Sequence, residues 1–391
     1  MQFDAALSLG LRMLVPSIVG KRVVIVLGPL ELGGSERQAL LFARYLKERH
    51  ADVHVWGTMG VPGRLAALCD DYVIPWRIVS EPWVDGRGRR LKALKEFAGQ
   101  LRRARVDIVL PYMEMPNLVC GIVWRFTGAK VCVWNQRDDG IARIRTRYER
   151  IAIRSTPRFI SNSTHGAEHL IRDRGVSAAR VNVIHNGVEL SSAVEQRTAW
   201  RTRLRLSDQT FAILMVANLT QFKDHATLLR AWRIASDKLR AENRTGVLLL
   251  AGRKDEMYDS LIAQANELGI SDTVIFLGQV SDVSGLLSAA DAGVFCSRSE
   301  GSPNSVLEYM AAGLPVTGTD IPAMRECLPP ASHGLLAAIG DSQTLASHMV
   351  RLAKDEGLRT QVGQLNQRRI ETEFTPARMC EETVSLIEEM L

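Results

Sequence analysis

The feature that most limits what this chain can fold into is an alternation that runs through it twice. Short apolar, β-branched runs are each followed by a longer stretch of helical periodicity. In the first series the strand candidates are Arg22–Leu27, Asp52–Trp56, Asp107–Leu110, Lys130–Trp134, Arg158–Ser161 and Val181–His185. Helical patterns fall between them at Ser35–Arg49, Arg90–Arg103 and Thr164–Arg174. Residues 189–198 are polar and strandless, and the alternation restarts with Phe211–Val216, Val247–Ala251, Thr273–Phe276 and Ala292–Cys296. Strands that alternate with helices form parallel sheets covered on both faces. Two series therefore predict two doubly wound α/β domains, at 1–190 and 191–375. A length of 391 residues allows for that at ~100–200 residues per domain. Thr375 as cap and Pro376 at the first helical position open a C-terminal helix, 376–391, expected to pack back toward the first domain. Ligands of such sheets bind beyond the carboxyl ends of the strands, so two facing domains define a cleft.

Other classes are excluded by what is missing. No run of ~18 uncharged apolar residues occurs, so a spanning helix is not expected. The nearest candidate, residues 5–19, is broken by Arg12 and Pro16, and its start is acidic, unlike a signal peptide. The expected location is the cytoplasm. Six cysteines lie far apart with no Cys-x-x-Cys, and read as reduced, buried thiols. The charge is uneven: residues 1–190 carry 29 Lys and Arg against 18 Asp and Glu, and the remainder 20 against 25. A basic half joined to an acidic half implies different partners for each. Charge alone does not choose among phosphate-bearing lipid, a membrane surface and nucleic acid.

The stretch Ser297–Val316 carries the most chemistry. A strand runs into it and a helix follows, with Ser302 as the expected N-cap and Pro303 at the first helical position. The amides of Asn304 and Ser305 then face outward, which makes an anion and hydroxyl site. Glu300 precedes that helix start and Glu308 lies within the helix. Two carboxylates beside one strand end can accept hydroxyl protons from a sugar diol or a ribose. A bare pair of glutamates eight apart is usually only a solvated helix face; the strand before and the small-residue helix after make this one different. Near the start, Gly33 and Gly34 follow the first strand and allow close backbone approach to a ligand, with a helix expected near Ser35. Lys223, in a loop after Phe211–Val216, offers a point charge for a diphosphate. His165, Glu168 and His169 match the H-x-x-E-H zinc pattern. They open a helix directly after a strand with no third ligand in view, and are set aside as a metal site. No Asp-x-Asp triplet occurs.

The segment running from Glu300 through Pro303, Asn304 and Glu308 to Val316 resembles the E-x7-E signature of the retaining glycosyltransferases of family 4, whose fold is GT-B. Further matches follow in the family's order. They are Gly33-Gly34 after Val23–Leu27, Phe159–Ser163, Val183–Val188, Val216–Leu219 with Lys223-Asp224-His225, Phe276–Gly278, and Ala290-Asp291. The resemblance implies two Rossmann-like domains facing across a cleft. It also implies transfer of a hexosyl group from a nucleotide-diphosphate sugar to an acceptor hydroxyl, with retention, no metal and no cofactor. Glu300 and Lys223 would be catalytic. The donor would be held by Gly33, Gly34, Lys223, Glu300, Ser302, Asn304, Ser305 and Glu308, with Glu308 on the ribose and Glu300 on the sugar. The family often pairs its lysine with an arginine a few residues earlier, but Asn218–Phe222 has none, and Arg137 or Arg253 could substitute. Relatives also carry a histidine near the end of the strand Lys130–Trp134. This chain reads Asn135-Gln136-Arg137-Asp138-Asp139 there, so Arg137, Asp138 and His165 are candidates for the transferred sugar or the acceptor.

The acceptor expected from the charge distribution is a lipid-linked saccharide of cell-envelope or exopolysaccharide assembly. Arg87, Arg89, Arg90, Lys92, Lys95, Arg102, Arg103 and Arg105 crowd one helical pattern whose stripe Leu91, Leu94, Phe97, Ala98 and Leu101 faces the sheet. Arg143, Arg145, Arg147, Arg150, Arg154 and Arg158 follow. With an apolar extension at 1–20, these predict peripheral contact with the anionic inner face of a membrane, and no nucleic acid. The alternatives are a soluble small-molecule acceptor, a sugar-nucleotide epimerase on the same fold, and a noncatalytic basic module.

Overall fold

The computed structural model describes residues 18–138, 140 and 146–391. Most of the apolar extension, as well as Arg143, Arg145 and Asp139, lies outside the described residues. The chain forms two compact units. One runs to Ile184 and is completed by Met379–Leu391, and the other is His185–Arg378.

The first unit holds β1 (Arg22–Leu30), β2 (Asp52–Pro62), β3 (Trp76–Ile78), β4 (Ile108–Pro111), β5 (Val131–Gln136), β6 (Arg158–Ser161) and β7 (Val181–Val183), in the order 3-2-1-4-5-6-7. Every pairing is parallel. β1 shows why its run is apolar throughout. Val23, Ile25 and Leu27 enter one core, while Val24 and Val26 enter another, as the two-residue period of a strand dictates. On the first face lie Phe42, Ala43 and Leu46 of helix Gly34–Glu48, with Cys380, Val384 and Ile387 of helix Pro376–Glu388. On the second face, helix Arg87–Arg103 buries Leu94, Phe97, Ala98 and Leu101. Leu91 of the expected stripe is 69% exposed instead. It lies at the start of the second turn, before the helix reaches the core at Leu94.

The second unit holds β8 (Phe211–Val216), β9 (Gly246–Ala251), β10 (Val274–Gly278), β11 (Ala292–Phe295), β12 (Val316–Thr319) and β13 (Leu336–Ala337), in the order 10-9-8-11-12-13. It too is parallel throughout. Asp224, Asp282 and Asp341 each cap a following helix through a side-chain oxygen, satisfying amides that a helix start leaves unpaired.

Each sheet has one topological switch point, where successive connections leave in opposite directions: β1/β4 in the first unit, β8/β11 in the second. The order of strands thus puts a ligand crevice at the carboxyl ends of those two pairs. All six cysteines are buried, free thiols. Among the described residues no helix is long and apolar enough to cross a membrane.

Candidate functional site

The β8/β11 switch gathers the second unit's candidates. After Val216 the chain leaves the sheet and is held against the segment that follows β9. Ala217 N donates to Ala251 O (2.9 Å), Leu219 N to Arg253 O (3.1 Å), and Arg253 N to Asn218 Oδ1 (3.1 Å). The two segments touch so closely at Gly252 that an added Cβ would lie 1.9 Å from the carbonyl oxygen of Ala217. Only glycine fits there.

That bracing leads to a narrow turn. Asp224 sits at φ −80°, ψ 57°, and His225 N donates to Lys223 O at 2.8 Å, the geometry of an inverse γ-turn. Asp224 N donates to Cys296 O at the end of β11 (3.1 Å), and the Asp224 carboxylate accepts from Thr227 N (3.3 Å) and Thr227 Oγ1 (2.9 Å). The backbone of Lys223 is therefore fixed to both strands of the switch.

The Lys223 amine donates to Glu300 Oε1 and stands 4.7 Å from the centre of the Phe295 ring. Both side chains are about four-fifths buried, at 21% and 17% exposed. Ser297 Oγ lies 2.9 Å from the same carboxylate oxygen and 3.1 Å from the carbonyls of Phe222 and Ser299, so its one proton has three acceptors in reach. The two residues named catalytic from sequence are thus in direct contact, although 77 positions separate them.

The helix carrying Glu308 runs Asn304–Ala311, capped by Pro303 rather than by Ser302. The cap moves one residue because Pro303 has no amide to give and sits at ψ 102°, outside the helix, while its carbonyl accepts from Val306 N (3.0 Å) and Leu307 N (3.3 Å). Ser302 turns toward Cys327 instead, with 3.9 Å between Oγ and Sγ. Asn304 and Ser305 occupy the first helical positions, and Asn304 Oδ1 accepts from Asn186 Nδ2 (2.7 Å). Tyr309, fully buried, pins this helix to β8 by accepting from Val216 N, and burial raises its phenol pKa. Glu308 is half-buried in the second turn.

Two further cations of this unit come from different strand ends. Arg253 belongs to this unit and pairs with Asp255 Oδ2 at 3.3 Å, with half of its side chain exposed. Arg298, which the sequence reading passed over, anchors by Arg298 N to Phe222 O (3.3 Å) and reaches to 3.9 Å from Asp224 Oδ2. Its position two residues before Glu300, at the end of the same strand, was the available signal. His225 figured in the sequence only as the last residue of the Lys223-Asp224-His225 match, without a role of its own. It is 1% exposed, and burial pushes its imidazole down to about 4.

Gly33, Gly34, Arg137, Asp138 and His165 belong to the first unit. Gly33 caps the helix Gly34–Glu48 in extended conformation, and Ser35 does not cap but donates to Met113 Sδ (3.0 Å). That contact joins the ends of β1 and β4 at the switch point. Met113 holds φ 74°, a conformation that costs of the order of 1–3 kcal/mol for a side-chain-bearing residue and concentrates at binding sites. Arg137 lies over Tyr112 (4.7 Å to the ring centre) and donates to Asn135 Oδ1 (3.2 Å). Asp138 Oδ1 accepts from Gln136 Nε2 and Gly140 N, both at 2.7 Å. The carbonyl of Asp138 comes against Gly166, next to the half-buried His165. Asn135 is structural, exchanging hydrogen bonds with Asn117 inside the unit. The H-x-x-E-H residues are otherwise occupied. His169 meets Asp173 (2.8 Å) and Arg174 (3.1 Å), and Glu168 pairs with Arg172 (3.4 Å). Among the described residues no three His, Cys, Asp or Glu side chains converge as metal ligands.

Comparison with known proteins agrees with this arrangement. The model of "Glycosyltransferase Family 4" matches residues 32–192, and that of "Glycosyl transferases group 1" matches residues 210–355. The chain is similar to the N-acetyl-alpha-D-glucosaminyl L-malate synthase of Bacillus anthracis, at 22% identity over 88% of this chain and 90% of that protein. It is similar, also at 22%, to the UDP-Gal:alpha-D-GlcNAc-diphosphoundecaprenol alpha-1,3-galactosyltransferase of Escherichia coli, over 68% of this chain and 72% of that one. Among solved structures, Anabaena HepE in complex with UDP and glucose superposes with a TM-score of 0.81 at 17% identity, over 94% of this chain and all of that one. Two parallel Rossmann-like units, and family models matching on both sides of the crossover between them, identify the chain as a family 4 glycosyltransferase with the GT-B fold.

Proposed function

We propose that the enzyme moves a hexosyl group from a nucleoside-diphosphate sugar to an acceptor hydroxyl with retention at the anomeric carbon, without a metal ion. The observation that carries this reading is the Lys223–Glu300 contact at the β8/β11 switch, beside the start of helix Asn304–Ala311. A diphosphate entering there meets the Lys223 ammonium and the positive end of a helix, which together can do the neutralising that a divalent cation does elsewhere. Released from Lys223, the Glu300 carboxylate is free to accept from sugar hydroxyls. Glu308 accepts from the ribose. The bond from the anomeric carbon to the diphosphate oxygen breaks as the acceptor oxygen bonds to that carbon, and the acceptor's proton passes to the departing diphosphate. Catalysis then consists of positioning and electrostatic stabilisation of the leaving group.

The acceptor, in this reading, is a lipid-linked saccharide used in envelope or exopolysaccharide assembly, met by the first unit at the anionic inner face of a membrane. The Escherichia coli relative acts, by its name, on a diphosphoundecaprenol-linked sugar. The two basic segments of the first unit meet at Arg90, whose guanidinium stacks on Trp83 (4.4 Å) and Tyr148 (5.4 Å) while those rings pack edge to face at 5.3 Å. Arg87, Arg89, Lys92, Lys95, Arg147, Arg150 and Arg154 around this joint are exposed, with Leu91 and Ile151 among them.

A thermal-shift panel of nucleotide sugars tests the donor site, since a ligand at about 100 times its dissociation constant stabilises by ~2.7 kcal/mol. The stabilising donor is then incubated with lipid-linked saccharide, and the anomeric configuration of the product is read by NMR. Free nucleoside diphosphate formed only with acceptor, and a retained anomer, support the reading. Diphosphate release without acceptor, together with an epimerised sugar, points to an epimerase.

A further inference from the structure

We infer that His225 is a positioning residue for the donor diphosphate. Its Nδ1–H holds the Lys223 carbonyl and so fixes where the Lys223 ammonium is presented. The inference rests on the donor-site reading above and adds to it a residue that never touches the ligand. His225 Nδ1 lies 3.2 Å from Lys223 O, an acceptor already serving His225 N at 2.8 Å. A carbonyl can only accept, so the ring must carry its proton on Nδ1, and Nε2 is left as a bare lone pair. That Nε2 is buried and has no hydrogen-bond partner among the described residues. A buried lone pair facing no donor lowers stability, so an apolar side chain would pack better here. What the imidazole supplies, and an apolar residue cannot, is the second hydrogen bond to Lys223 O.

The turn needs that bond. An inverse γ-turn is closed by a single i to i+2 hydrogen bond, and its first residue, Lys223, carries the charge the diphosphate must find. The rest of the turn is secured elsewhere. Lys223 N reaches Thr220 O (3.2 Å), and Asp224 N reaches Cys296 O (3.1 Å) from the other edge of the same rigid peptide plane, so Cys296 O on one edge and the His225 ring on the other clamp the plane that carries the Lys223 carbonyl. Burial of the ring keeps it neutral near neutral pH and so preserves the δ tautomer.

The test uses UDP as probe and calorimetric titration of the whole protein, with kcat and KM for the donor measured beside it. Asn at position 225 offers an amide N–H where Nδ1 stood, whereas Gln carries its amide one bond further out, near Nε2. His225→Asn is expected to bind UDP within about threefold of the wild type. His225→Gln and His225→Leu should bind about tenfold more weakly, the worth of one hydrogen bond, with the loss in donor KM and not in acceptor KM. Equal UDP affinity in the Asn and Gln variants, both folded, overturns the inference even where the Leu variant fails to fold. So does a long-range 1H–15N spectrum showing the proton of His225 on Nε2. Failure of the wild type to bind UDP, GDP or ADP overturns the donor-site reading and this inference with it, whereas equal binding by wild type and Gln variant overturns this inference alone.

Discussion

Lys223 is paired with Glu300 in this structure, so on the proposed donor site an incoming diphosphate would displace Glu300 from it. Removing one member of a shielded ion pair leaves the other uncompensated. Lys223→Ala is therefore expected to weaken UDP binding more than Glu300→Ala, because it leaves a carboxylate facing the diphosphate. The double variant should regain part of the loss, a coupling read from a four-protein titration cycle. An additive result excludes the exchange. Glu300→Ala and Glu308→Ala are each expected to lower kcat/KM by ~1.5–3 kcal/mol, about 10- to 150-fold, with the melting temperature nearly unchanged. His225 gives a pH signature of a different kind. Its imidazole is held near 4 in the fold against 6.5 ordinarily, so as pH falls the unfolded chain takes up the proton first. The shift has no effect on stability above pH 6.5, and below it the fold loses stability progressively toward pH 4, by about 3 kcal/mol. Urea midpoints for wild type and His225→Asn across that window check it, and the variant should show the shallower slope. Lys223, Glu300 and Glu308 were legible as candidates because motif and spacing point to them, and the contact between the first two follows from the fold. His225 was legible only as part of the Lys223-Asp224-His225 match and Arg298 not at all, since their roles depend on a turn and on a strand neighbour far away in sequence.

At the scale of elements, the loop that carries Lys223 is only as well placed as the contact behind it. Gly252→Ala would drive a methyl to 1.9 Å from a backbone oxygen that cannot swing aside. It is expected to cost ~1–3 kcal/mol in denaturant unfolding and to weaken UDP binding together with stability. Unchanged UDP affinity in that variant would show the loop to be independent of β9. The long apolar strands β1, β8 and β9 could be read directly, because burial on both faces leaves no polar residue to confuse the period. β3, β12 and β13, two to four residues long, were not among the strands expected from the sequence. β2 runs on to Pro62, well past Trp56, because Leu30 still pairs with Pro62 after a shift in register. That extension is a property of the partner strand. The capping error at Ser302 has the same origin: serine followed by proline is a good helix opening in general, and here the backbone at Pro303 turns before the helix begins.

For the whole molecule, the uneven charge is the property most open to experiment. The basic face around Arg90 is expected to bring the protein up with anionic liposomes at low salt and to release it at high salt, each cation near the surface contributing ~1 kcal/mol. No flotation at low salt removes the membrane proposal and leaves the glycosyltransferase assignment untouched. Activity is expected to persist in excess chelator; complete loss, restored by Mg²⁺ or Mn²⁺, would overturn metal-free transfer. The two-domain plan was legible from the repeated alternation, and the return of the C-terminal helix to the first unit from its cap at Thr375 and Pro376. Helix Pro376–Glu388 inserts Met379, Cys380, Val384, Leu386 and Ile387 into the core under β1. During synthesis the first unit thus leaves the ribosome with one face of its central strand only partly covered, helix Gly34–Glu48 lying on it. It stays so until the whole of the second unit has been made. Order of translation and order of completion are therefore reversed: the unit made first is finished last. Until then Val23, Ile25 and Leu27 present a sticky surface to whatever is nearby, a natural opening for chaperones and a reason for the second unit to fold without delay.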